Sequence, residues 1–289
     1  MPSRSSLLDR LAATRTYQYA YPVSFLLIAL IIALPPTLLT LLRHPFSVFD
    51  IRTIFFAHAW RILSPALDPG DAPHKRPLLA HAHGVVLEIG PGVGDNIKYY
   101  ERSSISRLVL VEPNGRMHAA LRRRAAESGF HECDGTLQLL GCGGGVGDEA
   151  ALQRAGVGSG SIDTVVVVHV LCSVPRPALA AEMYRRLLRR GGSLLFYEHV
   201  RSTEPQAAAW QAWLTRWVWR AAFDGCELDR PTGAWIKNGP AFVDVGTEAR
   251  DHQEDESGER RWTEWRMEAP EGQARFACTP HVWGWGVKA

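Results

Sequence analysis

Two carboxylates and a run of glycines carry the first chemical signal in this chain. In "VLEIGPGVGDNIKYY", residues 86–100, an apolar run passes into Gly90, Gly92 and Gly94 and then into an amphipathic segment. A buried strand is therefore expected to end at a glycine turn and lead into a helix. The glycines read G-x-G-x-G, and Asp95 stands where a dinucleotide fingerprint would place its third glycine, which weakens a nicotinamide or flavin reading. Glu88 lies two residues before the first glycine, in a strand that should otherwise be apolar. A carboxylate there is costly without a partner, and a cationic ligand would compensate it. Glu112 ends the next apolar run, "LVLVE", at about twenty residues past the glycines, where a carboxylate can accept hydrogen bonds from both hydroxyls of a ribose. Close backbone approach, an acid for a cation and an acid for a diol together describe S-adenosylmethionine. A pyrophosphate would instead bring negative charge beside Glu88.

Displacement at a carbon activated by a sulfonium draws much of its rate from alignment. A thiol acceptor, with a free pKa of about 8.5, needs little help to ionise, whereas an alcohol needs a strong base. His199 in "YEHV" and Asp224 in "FDGC" are the residues expected to take that proton, with Glu198 a third choice. Trp210, Trp213 and Trp217 recur at helical spacing, which fits either packing onto a sheet or an apolar wall for a lipophilic acceptor. The five cysteines, Cys133, Cys142, Cys172, Cys226 and Cys278, are odd in number and nowhere spaced as CxxC. This argues against a disulfide framework and against a zinc site, so no metal is expected, and it points to a reducing compartment.

The elements that must position these residues follow from periodicity. From about Leu78, short apolar runs ("GVVLEIG", "RLVLVEP", "TLQLLGC", "IDTVVVVHVLC", "GSLLFYEHV") alternate with helical patterns such as "MHAALRRRAAES". That is the signature of βαβ units and a parallel sheet, with the strand ends and their loops along one edge. Residues 78–289 are expected to form this domain, with a polar insert at about 247–261 that has little to bury. Residues 1–44 read as a membrane anchor: no charge appears from Tyr17 to Leu42, close to the length a bilayer-crossing helix needs. Pro35 and Pro36 leave a bent hairpin as a competitor to a straight span. Residues 45–77 read as an amphipathic helix, "FDIRTIFFAHAWRIL", followed by the proline-bearing linker "SPALDPGDAPHKRP". With 289 residues, 46% apolar content and a formal charge of +2, the chain has no electrostatic footprint for nucleic acid. Its basic runs "LRRRA" and "YRRLLRR" fall on predicted helices.

"VLEIGPGVG" resembles the first motif of class I S-adenosylmethionine-dependent methyltransferases. "DNIKYY", "LVLVEPN", "VLCSV", "RRLLRRGGSLLFYEHV", "FDGCEL" and "HVWGWGVK" are similar, in order, to the membrane-anchored methyltransferase-like protein 7 family of thiol methyltransferases. The resemblance implies an α/β fold with a Rossmann-like, seven-stranded, mostly parallel sheet whose last strand is antiparallel, preceded by a membrane helix or hairpin. By the same resemblance Glu88, Gly90, Pro91, Gly92 and Gly94 line the methionine end of the cofactor, and Glu112, Pro113 and Asn114 hold its ribose. Gly141 and Cys142 approach the adenine, and His169, Val170, Leu171 and Cys172 close the pocket under the sulfonium. The loop "GCGGGVGDEA" departs from the family pattern in its glycine content and lacks an early acid. The implied activity is methylation of a small lipophilic acceptor, a thiol first. A lipid amine or quinone-like ring, or a non-catalytic membrane scaffold, are the competing readings. The implied setting is an intracellular membrane, endoplasmic reticulum or lipid droplet surface, with the catalytic domain facing the cytosol.

Overall fold

The computed structural model describes residues 14–240 and 260–289. Most of the polar insert lies outside them. Seven strands form one sheet: β1 (Gly84–Ile89), β2 (Ile105–Val111), β3 (Leu137–Leu140), β4 (Ile162–Val168), β5 (Leu188–His199), β6 (Trp262–Glu268) and β7 (His281–Lys288). Their spatial order is β3-β2-β1-β4-β5-β7-β6. The first five are parallel, and β7 enters antiparallel to both β5 and β6. The strand order reverses at β1 and β4, and the crevice beyond their carboxyl ends is where open α/β sheets bind ligands.

Each central strand is apolar on both faces because both faces are covered. On one side Leu87, Ile89, Val111, Val165, Val167 and Phe196 pack against Ala180, Met183, Tyr184 and Leu187 of α5 (Pro177–Leu187). On the other, Val86, Leu108, Leu110, Val166 and Leu195 meet Leu121 and Ala125 of α3 (His118–Glu127) and the end of α2 (Ile51–Leu79). A short α4 (Glu149–Arg154) precedes β4.

Two stretches depart from expectation, and a third settles between two expected forms. The segment after the glycine turn forms a single 3₁₀ turn, Ile97–Tyr99, and not a longer helix. Its side chains are committed downward: Asn96 and Tyr100 bond Glu88, and Tyr99 bonds Asp68. The expected linker is helical, and α2 runs unbroken through Pro65, Pro69, Pro73 and Pro77. Their four-residue spacing puts every lost amide bond on one helix face, so the other face keeps its ladder. The N-terminal segment is one helix, α1 (Arg15–Arg43), continuous through Pro22, Pro35 and Pro36. It is long and apolar enough to cross a membrane. Ala29 and Ala33 of α1 are fully buried with Ala59 and Leu63 of α2, the small residues letting the two helices come close.

Candidate active site

A cavity of about 330 Å³ opens at the carboxyl ends of β1, β2, β4 and β5, within the range of small-molecule sites, roughly 300–1,000 Å³. Its floor is the glycine turn. Gly90 has φ +60°, a region a side chain rarely adopts, and a Cβ there would sit 2.5 Å from Cγ2 of Val170. The absent side chain lets the loops after β1 and β4 meet and exposes their backbone to the cavity.

The Glu112 carboxylate accepts the Gly92 N–H at 3.0 Å and the Asn114 N–H at 2.8 Å, tying the first turn to the second. An ionised carboxylate has about four lone-pair positions, so two remain for a diol. Burial lifts Glu112 from the ordinary carboxylate range to about 7, against the pull of those two N–H groups. Asn114 also reaches α2, donating from Nδ2 to the Thr53 carbonyl at 3.1 Å.

The expected roles of the sequence-derived residues divide on placement. Gly90, Pro91, Gly92, Glu112, Pro113, Asn114, His169, Val170, Cys172, His199 and Asp224 line the cavity; Glu88, Gly94, Gly141, Cys142 and Leu171 do not. Glu88 needs no ligand cation: Asn96 Nδ2 and Tyr100 Oη each donate to it at 2.8 Å. It braces the turn from below. The loop after β3 meets the cavity two residues later than expected, at Gly143 and Gly144. A Cβ on Gly144 would overlap Ile89 Cγ2 at 2.3 Å, and Tyr184 Oη anchors the Gly144 carbonyl at 2.7 Å. Cys142 packs instead against the core.

Glu198 is not in the cavity wall. Its Oε1 accepts the N–H groups of Val170 and Leu171 at 2.9 and 3.2 Å, holding the loop that carries Cys172. His199 presents Nε2 to Sγ of Cys226 at 3.3 Å. Burial would lower its pKa, and the adjacent Cys172 reverses that, leaving it raised. Asp224 has φ +46°, a left-handed conformation an aspartate tolerates. Its carboxylate has no hydrogen-bond partner among the described residues, and burial raises its pKa.

The remaining wall was not legible as a site in the sequence. Tyr21 and Phe25 come from α1, and Phe56, Trp60, Asp71 and Lys75 from α2. Phe56 and Trp60 stood at helical spacing on the amphipathic segment, the one signal available. Trp219 and Phe223 complete the wall, while Trp213 and Trp217 are 50% and 62% exposed. Trp213 and Trp217 thus face outward and the off-stripe Trp219 and Phe223 face in, while Trp210 is half-buried against α1 and donates its indole N–H to the Tyr19 carbonyl at 3.1 Å. Residues two apart on a helix point about 200° apart, so Trp217 and Trp219 face opposite ways; the segment carrying them is a π turn, Thr215–Trp219, at the end of α6 (Pro205–Leu214). The His169 ring nitrogen Nε2 is buried without a hydrogen-bond partner, and it lies 4.0 Å from Asp71.

S-Adenosylmethionine fits this donor set. Glu112 retains acceptor capacity for the ribose, and Asp71, Asp224 and Glu112 outnumber Lys75, which is paired with Asp68 at 2.5 Å. His169 Nε2 can meet the amino-acid end. Residues 65–285 match the methyltransferase domain family, and the chain belongs to it: it is an S-adenosylmethionine-dependent methyltransferase. It is similar to thiol S-methyltransferase TMT1B of Homo sapiens, with 29% identity over 198 residues, 64% of this chain and 74% of the relative. It is also similar to thiol S-methyltransferase TMT1A of Homo sapiens, with 32% identity over 151 residues, 50% of this chain and 54% of that relative. Among solved structures, a geranyl diphosphate methyltransferase in complex with GPP and sinefungin shares the fold. It has a TM-score of 0.50 and 11% identity, covering 78% of this chain and 80% of that one.

Proposed function

We propose that the protein methylates the sulfur of a small lipophilic thiol at a membrane surface. The observation that carries this reading is one cavity with two unlike halves. A carboxylate-and-glycine half suits a cationic nucleoside, and a ring-lined half of Phe25, Phe56, Trp60, Trp219 and Phe223 suits an apolar acceptor. Relatives named as thiol S-methyltransferases support the choice of sulfur.

In this reading Glu112 and Asn114 hold the ribose, the turn at Gly90–Gly92 holds the methionine end, and His169 binds its polar terminus. S-Adenosylmethionine, when bound, supplies a methyl group already activated by its sulfonium. The chain's task is then to align the acceptor, exclude water and accept one proton. Asp224 is the proton acceptor: its carboxylate lines the cavity without a side-chain hydrogen bond, and burial, against the pull of the Arg52 charge, raises its pKa toward that of a thiol. His199 is already engaged with Cys226.

The outer face of α1 supports a membrane seat. Leu27, Ile31, Leu34, Leu38 and Leu42 are exposed along it, and Phe46 and Phe49, in the turn to α2, are each 90% exposed. Such a strip is costly in water and favourable in lipid. Because α1 also lines the cavity, an acceptor dissolved in the bilayer has a short route in. The five cysteines are free, which supports an intracellular membrane with the domain on the reducing, cytosolic side.

The test incubates the purified full chain with labelled cofactor and a panel of apolar thiols, amines and phenols. Methyl thioethers are the expected products. Asp224→Asn should lower kcat by about a hundredfold with the cofactor KM unchanged. Product from amines or phenols alone would overturn the thiol assignment.

A further inference from the structure

Two cysteines far apart in the chain meet at one histidine in the cavity wall. Sγ of Cys172, Nε2 of His199 and Sγ of Cys226 lie within 4.8 Å of one another, and the Cys226–His199 pair is at 3.3 Å. All three residues line the cavity. Cys172 comes from the loop after β4, His199 from the end of β5 and Cys226 from the turn after the tryptophan helix. The absence of CxxC spacing therefore says nothing about this cluster, which only the fold assembles.

We propose that Cys172, His199 and Cys226 form a zinc site whose open fourth position takes the acceptor thiol as a thiolate. The inference rests on the thiol reading above for its fourth ligand and not for its first three. Two sulfurs and one imidazole nitrogen are the donor set of a tetrahedral zinc centre that keeps a position for substrate. Zinc bonds of about 2.3 Å to sulfur and about 2.0–2.1 Å to nitrogen place neighbouring donors roughly 3.5–3.8 Å apart. The cluster needs only a small inward adjustment to reach this. It includes Cys226, which follows Gly225 at φ +95° in an irregular turn.

Each sulfur has a hydrogen-bonding neighbour, and the Cys172 thiol also donates to the His169 carbonyl at 3.6 Å, a bond that metal binding would replace. The indole Nε1–H of Trp219 donates to Cys226 Sγ at 3.3 Å, and Ser173 Oγ lies 3.4 Å from Cys172 Sγ. Hydrogen bonds from outside the ligand sphere stabilise thiolates and fix their direction. Binding through Nε2 puts the ring proton on Nδ1 of His199, which is buried without a protein acceptor, so that proton is left for a water to accept when the metal binds. A disulfide between the two cysteines would use both sulfurs and leave that nitrogen facing them without a bond. Metal binding releases the thiol protons of Cys172 and Cys226 to solvent. A thiol taking the fourth position forms a sulfur–zinc bond, displaces water and gives its own proton to Asp224 or to solvent, with no change of oxidation state.

The test is a titration of the reduced full chain with Co(II) and, in competition with a chromophoric chelator, with Zn(II). One equivalent should bind, with thiolate-to-cobalt charge-transfer absorption and tetrahedral d–d bands, and the d–d bands should shift when an apolar thiol is added. Cys172→Ser and Cys226→Ser should each remove most of the charge-transfer band and weaken Zn(II) by at least about a hundredfold. Cys133→Ser and Cys142→Ser should leave it intact. Calorimetric binding of the cofactor by Cys226→Ser shows that this variant is folded. No thiolate–cobalt absorption in a wild type that binds cofactor overturns the site, as does a band that survives Cys226→Ser or a Cys172–Cys226 disulfide in active protein isolated without added reductant. Thiol methylation undiminished after stripping with a chelator overturns the metal's part in acceptor binding and leaves the proposed function standing. A cobalt site with a thiol-dependent shift, in a protein that methylates only amines, supports the metal site and removes the proposed function.

Discussion

The wall of the cavity made by the loops after β1 and β2 and the wall made by α1, α2 and the tryptophan helix are held by different forces. In the first, directional bonds tie one loop to the other, such as the 3.0 Å and 2.8 Å contacts of Glu112 with the Gly92 and Asn114 amides. In the second, rings stack: Phe25 of α1 lies 5.3 Å from Phe223 and 5.9 Å from Trp219, and Phe56 lies 5.4 Å from Trp60 one turn along α2. Hydrogen bonds fix a ligand's identity because a missing partner leaves a buried polar group unpaired. Apolar contact fixes little beyond size and hydrophobicity. The first wall is therefore built for one nucleoside and the second for a range of apolar acceptors.

The sharpest way to break this contrast is Glu112→Ala. It removes the diol acceptor and unties Gly92 from Asn114, so cofactor affinity should fall on the order of a hundredfold by calorimetry. An unchanged affinity would mean that the polar wall holds something else.

A smaller effect comes from pH. Burial raises Glu112 to about 7. In the free protein this carboxyl therefore contributes stability below its unfolded value, and that contribution is lost as pH rises through about 7. A cationic nucleoside reverses the preference, since binding favours the ionised form. Cofactor affinity should rise by up to about tenfold per pH unit below 7 and level off above it, and Glu112→Gln should flatten the profile. A wild-type profile already flat between about pH 5.5 and about pH 8 would remove Glu112 from the ligand's surroundings.

The smallest effect belongs to the apolar wall. Phe25→Ala should raise KM for apolar thiols by about fivefold, the loss of part of one ring's contact, and leave cofactor affinity alone. Equal changes in both would show that the two walls are not separable.

The strands, the glycine turn and Glu112 were legible because they depend on short-range pattern: apolar runs of the right length, glycines where a side chain cannot fit, and an acid at a strand's end. Glu88 is legible as a buried acid but its partners are not, since Asn96 and Tyr100 reach it only through the fold of the turn. The proline-bearing stretch looked like a linker because proline disfavours helix locally. Its regular spacing and its packing against the domain outweigh that preference in α2.

By itself, then, the sequence determined a parallel α/β sheet, the edge at which a nucleoside would sit, and an apolar N-terminal segment of bilayer length. Periodicity and backbone sterics act over a few residues and are written directly in the chain. The tertiary structure decided that this same segment closes over the cavity, that Trp219 faces the cavity and Trp217 the outside, and that Cys172, His199 and Cys226 share one point. Those outcomes depend on long-range packing, in which each side chain's neighbours come from elements whose positions no local pattern records.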